Sequence, residues 1–185
     1  VKETAGTAAM RRKRAGRESS SGVNEDNDRL VAIKKLCKAD LSASGCAPHV
    51  MNERGALALS NACPYIINLY QTFSDQKHLY FVLELCRGGD LFGLLCKSER
   101  IVEKSARFYV AAVIKAFAFM HTKDVVYRDL KPENLLCQDT DTGTILKIAD
   151  FGFACYKSID HLTSYRGTMT YMAPEIKEQK TYDGM

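Results

Sequence analysis

Between Val125 and Leu136 the chain reads VVYRDLKPENLL, which sets a carboxylate at Asp129, an ammonium at Lys131 and an amide at Asn134 in one short stretch. Apolar Val125, Val126 and Tyr127 precede these groups and Leu135 and Leu136 follow them, a pattern that predicts a polar loop held between two small strands. Transfer of a phosphoryl group to a hydroxyl calls for such a set. A carboxylate orients the attacking hydroxyl, a cation sits near the transferred phosphate, and a neutral oxygen serves as a ligand for Mg²⁺. A solvated turn with a proline would explain the polarity but not this order of residue types. A second carboxylate stands at the end of the strand-like run Ile145 to Ala149, in Asp150-Phe151-Gly152, where it can chelate Mg²⁺. Such a tripeptide alone often marks only a turn. Its place 21 residues after Asp129 and ahead of Ala173-Pro174-Glu175 makes it a stronger signal here.

Other elements must position these groups. Arg29 to Leu36, RLVAIKKL, surrounds Lys34 with β-branched and apolar residues and predicts a strand presenting one ammonium, an arrangement also met in any exposed edge strand. Pro48 to Asn61 is rich in helix formers and places Val50, Glu53 and Leu57 on one face, so a carboxylate shares the apolar stripe. Ile66 to Phe73 and His78 to Leu85 read as a hairpin about the polar turn Ser74 to Lys77. Arg87-Gly88-Gly89-Asp90 then breaks the strand ahead of the amphipathic Leu91 to Cys96, which suits a hinge between two lobes. Ser105 to Met120 predicts a helix with Ser105 as N-cap and Tyr109, Ala112, Val113, Ala116, Phe117 and Met120 as its core face. Phe153 to Met172 carries several hydroxyls and reads as an exposed loop.

Composition narrows the class. The 185 residues are 46% hydrophobic and 26% charged, enough for one globular unit with a core. No apolar run approaches the roughly 18 to 20 residues that span a bilayer, and no signal-peptide core precedes the fold. The seven cysteines never fall in C-x-x-C spacing and no N-x-S/T sequon occurs, so the expectation is a reducing interior, with neither zinc nor disulfides. A cytoplasmic location is expected, with the nucleus open through the basic run Met10 to Arg17. Net charge +4 is too mild for a nucleic-acid protein, and that basic run alone reads as a localisation signal or a solvated loop. Residues 1–28, basic, then serine-rich, then acidic, read as a disordered insertion or loop.

With VAIKK, HVMNERGAL, LYFVLELCRGGDLF, ARFYVAAVI, VVYRDLKPENLL, LKIADFGFA and GTMTYMAPEI in view, the chain resembles a eukaryotic protein kinase catalytic domain. Tyr127 in place of the usual histidine and the ARFY segment make it most similar to the AGC group, near the cyclic-nucleotide-dependent kinases. The resemblance implies an α+β, two-lobed fold. Residues 29–86 would form part of a small lobe, an antiparallel sheet with one helix, and residues 87–185 part of a mainly helical large lobe. It implies ATP and Mg²⁺ as cofactors and serine or threonine of proteins as acceptor. Lys34 would then anchor phosphate and Glu53 pair with it, Asp129 would be the catalytic carboxylate, Lys131 would contact the γ-phosphate, and Asn134 and Asp150 would bind Mg²⁺. Ala32, Leu83 as gatekeeper, the backbone of Glu84 and Cys86, and Leu136 would enclose the adenine, with Asp90 near the ribose. Leu57, Leu69, Tyr127 and Phe151 match the family's regulatory spine.

Further roles follow from the same likeness. Ser164, with Thr163 beside it, matches the activating phosphorylation site, and Arg128 the residue that binds such a phosphate. Asp90, Glu133 and Thr168 match substrate-facing positions, which implies substrates with basic residues before the acceptor. An activating kinase and a cyclic-nucleotide-binding regulatory domain are the implied partners. The departures are a missing G-x-G-x-x-G before Lys34, since Gly88, Gly89 and Gly93 lie after it, and a last residue at Met185 short of the family's remaining large-lobe helices. VKETAG resembles the end of the family's second strand, so the glycine loop is expected upstream of Val1 and the chain is expected to be truncated at both ends. Gly167-Thr168-Met169-Thr170-Tyr171 departs from G-T-P-E-Y, which touches peptide specificity. The competing reading is a catalytically impaired or pseudokinase-like binding module. The truncation favours it, and the presence of Lys34, Glu53, Asp129, Asn134 and Asp150 argues against it.

Overall fold

The computed structural model describes residues 30–98, 100–140, 143–157, 167–178 and 180. Strand β1 (Val31–Cys37) is followed by helices α1 (Lys38–Ala43) and α2 (Ala47–Ser60), then by strands β2 (Leu69–Ser74) and β3 (His78–Glu84). The three strands form one antiparallel sheet in the order β1-β3-β2. Its register sets Ala32 against Leu83 and Lys34 against Phe81. This half holds two helices rather than the single one expected, because the chain makes a short turn of helix at Lys38–Ala43 before Gly45 breaks it with φ +64°. Val50, Glu53 and Leu57 share the buried face of α2, as their spacing requires.

The second half comprises α3 (Leu91–Ser98), α4 (Glu103–His121), the two-residue strand β4 (Val125–Val126), a 3₁₀ turn at Pro132–Asn134, the hairpin of β5 (Leu135–Thr140) and β6 (Gly143–Ile148), the short β7 (Cys155–Tyr156) and α5 (Pro174–Lys177). α4 starts at Glu103, with extended Val102 before it, so Ser105 lies inside the first turn and is not the N-cap. Ala112, Ala116 and Met120 on α4 are buried, while Val110 and Ile114 on another stripe stay 57% and 62% exposed. Part of the stretch read as an exposed loop is folded inward. Ala154 and Cys155 are buried, and β7 pairs with β4 through Val125↔Tyr156 and Val126↔Cys155. No helix among the described residues is long and apolar enough to cross a membrane.

Three sets of contacts stand out among those that join the halves. The stretch after α2 runs along β6, where the amide of Ile67 donates to the Ile148 carbonyl at 3.0 Å and the amide of Ile148 to that of Tyr65 at 2.8 Å. Leu57, Leu69, Tyr127 and Phe151 are all buried, and the Tyr127 and Phe151 rings meet edge to face at 5.1 Å between centroids. Burying each such side chain stabilises the fold by roughly 1.5–3 kcal/mol. The third set is polar. Lys147 of β6, only 5% exposed, places its ammonium 2.9 Å from the carboxylate of Glu84 at the end of β3. That carboxylate also accepts from the Asn68 amide at 3.1 Å and from its side-chain nitrogen at 2.9 Å.

Removing one partner of such a buried pair strands the other charge. Lys147→Met is therefore expected to cost about 3–5 kcal/mol, a fall of roughly 6–20 °C in melting temperature for a chain of this size. The double variant Glu84→Gln/Lys147→Met should melt above the single Lys147→Met variant. Additive losses in that double-mutant cycle would show the pair to be uncoupled.

Candidate active site

Lys34 reaches the site because β1 alternates its side chains. Ala32 and Lys34 fall on the same face of the strand, and pairing with β3 fixes their depth. The Lys34 ammonium stands 2.9 Å from Oε1 of Glu53 on α2 and 3.2 Å from Oδ1 of Asp150, which follows β6. Glu53 is buried while Asp150 keeps about a third of its side chain exposed, so the cation is shared between an inner and an outer carboxylate. Asp150 holds φ +53°, a conformation that costs a non-glycine residue on the order of 1–3 kcal/mol. The Tyr127 hydroxyl donates to the carbonyl of Ala149 immediately before it, and Phe151 immediately after it is fully buried. The two neighbours of Asp150 are thereby anchored while its carboxylate projects outward. Burial first, then the nearby carboxylates of Asp150 and Asp129, push the Tyr127 phenol well above its ordinary value, so the hydroxyl stays a neutral donor.

The Asp129 carboxylate is buried and saturated with donors. Oδ1 accepts from the Thr168 amide at 3.0 Å and from its hydroxyl at 2.6 Å, and Oδ2 from the Asn134 side-chain nitrogen at 2.9 Å. The Lys131 ammonium lies 2.8 Å from Oδ2 and also 2.9 Å from the Thr168 hydroxyl. Asn134 in turn donates to the Asp129 carbonyl, and its own carbonyl accepts from the Ala149 amide, both at 2.9 Å. One network thus ties the loop after β4 to the residues that precede Asp150. Thr168 enters it from the far end of the sequence, and Gly167 makes that approach possible. Its φ is +124° and a Cβ there would stand 2.6 Å from the Arg128 carbonyl.

Arg128 also adopts a left-handed backbone, φ +68°, and its Nε donates to the Phe153 carbonyl at 2.8 Å. Thr163 and Ser164 lie outside the described residues, as do residues 1–28. Asp90 caps α3, accepting from the Gly93 amide at 2.7 Å, and pairs as an isolated bridge with Leu136. Glu133 sits in the 3₁₀ turn between Lys131 and Asn134. Ala32, Leu83, Glu84, Cys86 and Leu136 bring together β1, the end of β3, the linker after it and β5. That linker is fastened to β5, since Gly88 donates to the Cys137 carbonyl at 2.9 Å and Cys137 to that of Gly89 at 2.8 Å. Burial, then the Glu84 carboxylate, pushes the Cys86 thiol up to about 12, so it presents no thiolate at neutral pH.

Two participants escaped the sequence reading. Lys147 looks like an ordinary strand lysine, and only its pairing with Glu84 across the two halves reveals it. Tyr156 lay in a stretch read as loop, although the pair Cys155-Tyr156 after an apolar Phe153-Ala154 was a strand signal of minimal length.

A cage of three or more His, Cys, Asp or Glu side chains does not occur among the described residues. Asn134 and Asp150 offer only oxygen donors, two residues in all, and that suits Mg²⁺, which keeps waters and takes further oxygens from phosphates. The geometry is that of one ammonium shared by two carboxylates, beside a buried and hydrogen-bonded third carboxylate.

Comparison with known proteins identifies the lineage. A family profile described as "Protein kinase domain" matches residues 17–185. A cAMP-dependent protein kinase catalytic subunit of Schizosaccharomyces pombe is 43% identical over 162 residues, covering 87% of this chain and 31% of the relative. The cAMP-dependent protein kinase type 3 of Saccharomyces cerevisiae is 40% identical over 157 residues, 85% of this chain and 38% of the relative. Isozyme 2 of the cGMP-dependent protein kinase of Drosophila melanogaster is 35% identical over 169 residues, 91% of this chain and 18% of the relative. The chain therefore spans less than two fifths of the length of each of these relatives. With the profile covering Lys34, Glu53, Asp129, Asn134 and Asp150 alike, the chain belongs to the protein kinase domain family, in its AGC group beside the cyclic-nucleotide-dependent kinases.

Proposed function

We propose that the protein of which this chain is part transfers the γ-phosphoryl group of ATP to serine or threonine of basic protein segments. The observation that carries the reading is the buried Asp129 carboxylate, oriented by Thr168, Asn134 and Lys131, with the Lys34–Asp150 pair standing beyond the same network.

The steps assigned to the chain's own residues are few. Lys34, held by Glu53, neutralises charge on the α and β phosphates. At Oδ1 of Asp129 the acceptor hydroxyl takes the place of the Thr168 hydroxyl. Asp129 orients its oxygen in line with the γ-phosphorus and takes up the proton as the new P–O bond forms, the bond to the β-phosphate oxygen breaks and ADP departs. Lys131 balances the charge on the transferred group, a role consistent with its 2.8 Å contact to Asp129. Asn134 and Asp150 would hold Mg²⁺, which when bound neutralises the phosphates and fixes their geometry. Adenine would lie between Ala32 and Leu136 and bond to the backbone of Glu84 and Cys86, with Leu83 behind it and Asp90 toward the ribose. Specificity for basic segments rests on Glu133, and on Asp90 to the extent that its carboxylate serves substrate as well as the Gly93 amide. Activation through phosphate on Ser164 or Thr163, bound by Arg128, and regulation by a cyclic-nucleotide-binding domain belong to the same proposal.

Two experiments on the full-length protein test it. Asp129→Asn keeps the shape and the Asn134 neighbour but removes the proton acceptor. Turnover in a labelled-phosphate assay is expected to fall by about 10²–10⁴-fold with Mg²⁺-ATP binding retained, and equal turnover would overturn the role of Asp129. In a peptide-library profile, arginine should be enriched two or three places before the acceptor, and Glu133→Gln should weaken that enrichment. A preference for proline after the acceptor, or for acidic residues before it, would remove the basic-substrate reading.

A further inference from the structure

Gly55 stands out within α2. It lies two residues beyond Glu53 in a helix otherwise built largely of alanine, leucine, methionine and charged residues, where glycine costs roughly 0.5–1 kcal/mol relative to alanine. The space around it explains the choice. A Cβ at residue 55 would overlap the Tyr156 hydroxyl oxygen, while the ring's Cζ and Cε2 would stand 3.4 and 3.6 Å away. Tyr156 is the last residue of β7. It is anchored there by pairing with Val125 and by the Lys157 amide, which donates to the Asp124 carbonyl at 2.8 Å. Its half-buried ring packs against the main core.

Tyr156 therefore reaches from the ribbon that leads into the Asp129 loop to the helix that carries Glu53. We infer that Tyr156 is a positioning residue for the Lys34–Glu53 pair, a strut whose hydroxyl end seats in the socket left by Gly55. The inference rests on the kinase reading, because it assigns Tyr156 to the nucleotide-anchoring lysine. The tolerance is small. The Lys34–Glu53 bond is 2.9 Å long and such bonds are lost beyond about 3.5 Å, so a shift of α2 by well under an ångström releases Glu53. One methyl group in the socket supplies that shift unless the tyrosine gives way. Burial raises the Tyr156 phenol above its ordinary value, and the strut carries no charge at neutral pH.

The geometry yields a rescue experiment on the full-length protein. Gly55→Ala should lower kcat/KM for ATP about tenfold despite its better helix propensity, with the loss concentrated in the ATP term rather than in KM for the peptide. Tyr156→Phe removes only the colliding oxygen. It should cost at most threefold by itself, and added to Gly55→Ala it should restore the double variant to within threefold of wild type. Tyr156→Ala, which deletes the strut, should lose about tenfold and should not be restored by Gly55→Ala. A harmless Gly55→Ala, or a double variant no better than Gly55→Ala alone, would overturn the inference. Affinity for a fluorescent ATP analogue, measured on the same five variants, separates this from the kinase reading. Turnover by wild type with a flat cycle would sink the strut alone. The same cycle in nucleotide affinity without any turnover would sink the catalytic reading and leave the strut standing.

Discussion

One ammonium group has to reach two carboxylates that arrive from different halves of the molecule. Lys34 comes from β1, Glu53 from α2 and Asp150 from the end of β6, and none is close to another in sequence. Their meeting requires the β1–β3 register, the buried seating of α2 and the join of the Tyr65–Ile67 segment to β6 all at once. Of the two carboxylates on Lys34, that of Glu53 is buried and that of Asp150 is the one solvent reaches. Burial of Glu53 keeps the inner pair out of competition with water, and any movement of α2 is felt first at this bond.

The Asp129 loop is organised differently, by donors and by backbone strain. Asp124, Arg128 and Asp150 all sit at positive φ, +54°, +68° and +53°, and bracket the loop on either side. Such conformations persist only where surrounding bonds over-determine them. Here those bonds are the Arg128 guanidinium on Phe153, the Asp124 carbonyl receiving Lys157, and the Tyr127 hydroxyl on Ala149. The result is a carboxylate whose direction is fixed by the chain's own bonds, the preorganisation that the role proposed for Asp129 requires.

Much of this was legible in the residues, and the failures have physical reasons. The loop residues 129, 131 and 134 and the strand-end Asp150 could be read because a short polar loop carries its chemistry in its spacing. The apolar face of α2 could be read from its period, Glu53 included. Lys147 could not, because its meaning lies in a partner 63 residues away and in its burial, neither of which a lysine in a strand announces. Ser105 misled as an N-cap because the helix gains another pair of residues from Glu103 and Lys104, whose exposed side chains carry no apolar period. The two-residue β7 was hidden for lack of length. Its reality rests on pairing with β4 and on the burial of Cys155, both of them tertiary facts.

The links between the halves are of two kinds, and they constrain different motions. The core cluster that holds Leu57, Leu69, Tyr127 and Phe151 is apolar and non-directional, so it resists separation more than it resists sliding. The Lys147–Glu84 pair and the Asn68 bonds are directional, and they clamp the end of β3 to β6 just before the linker. Beyond Cys86 the linker is fastened again, through Gly88 and Gly89 to Cys137. A rotation of one half against the other must then either stretch the Glu84 node or be taken up in the few residues from Leu85 to Arg87. Those residues include Cys86, whose backbone is proposed to meet the adenine, so on that reading a change in the relation of the halves reshapes the nucleotide site.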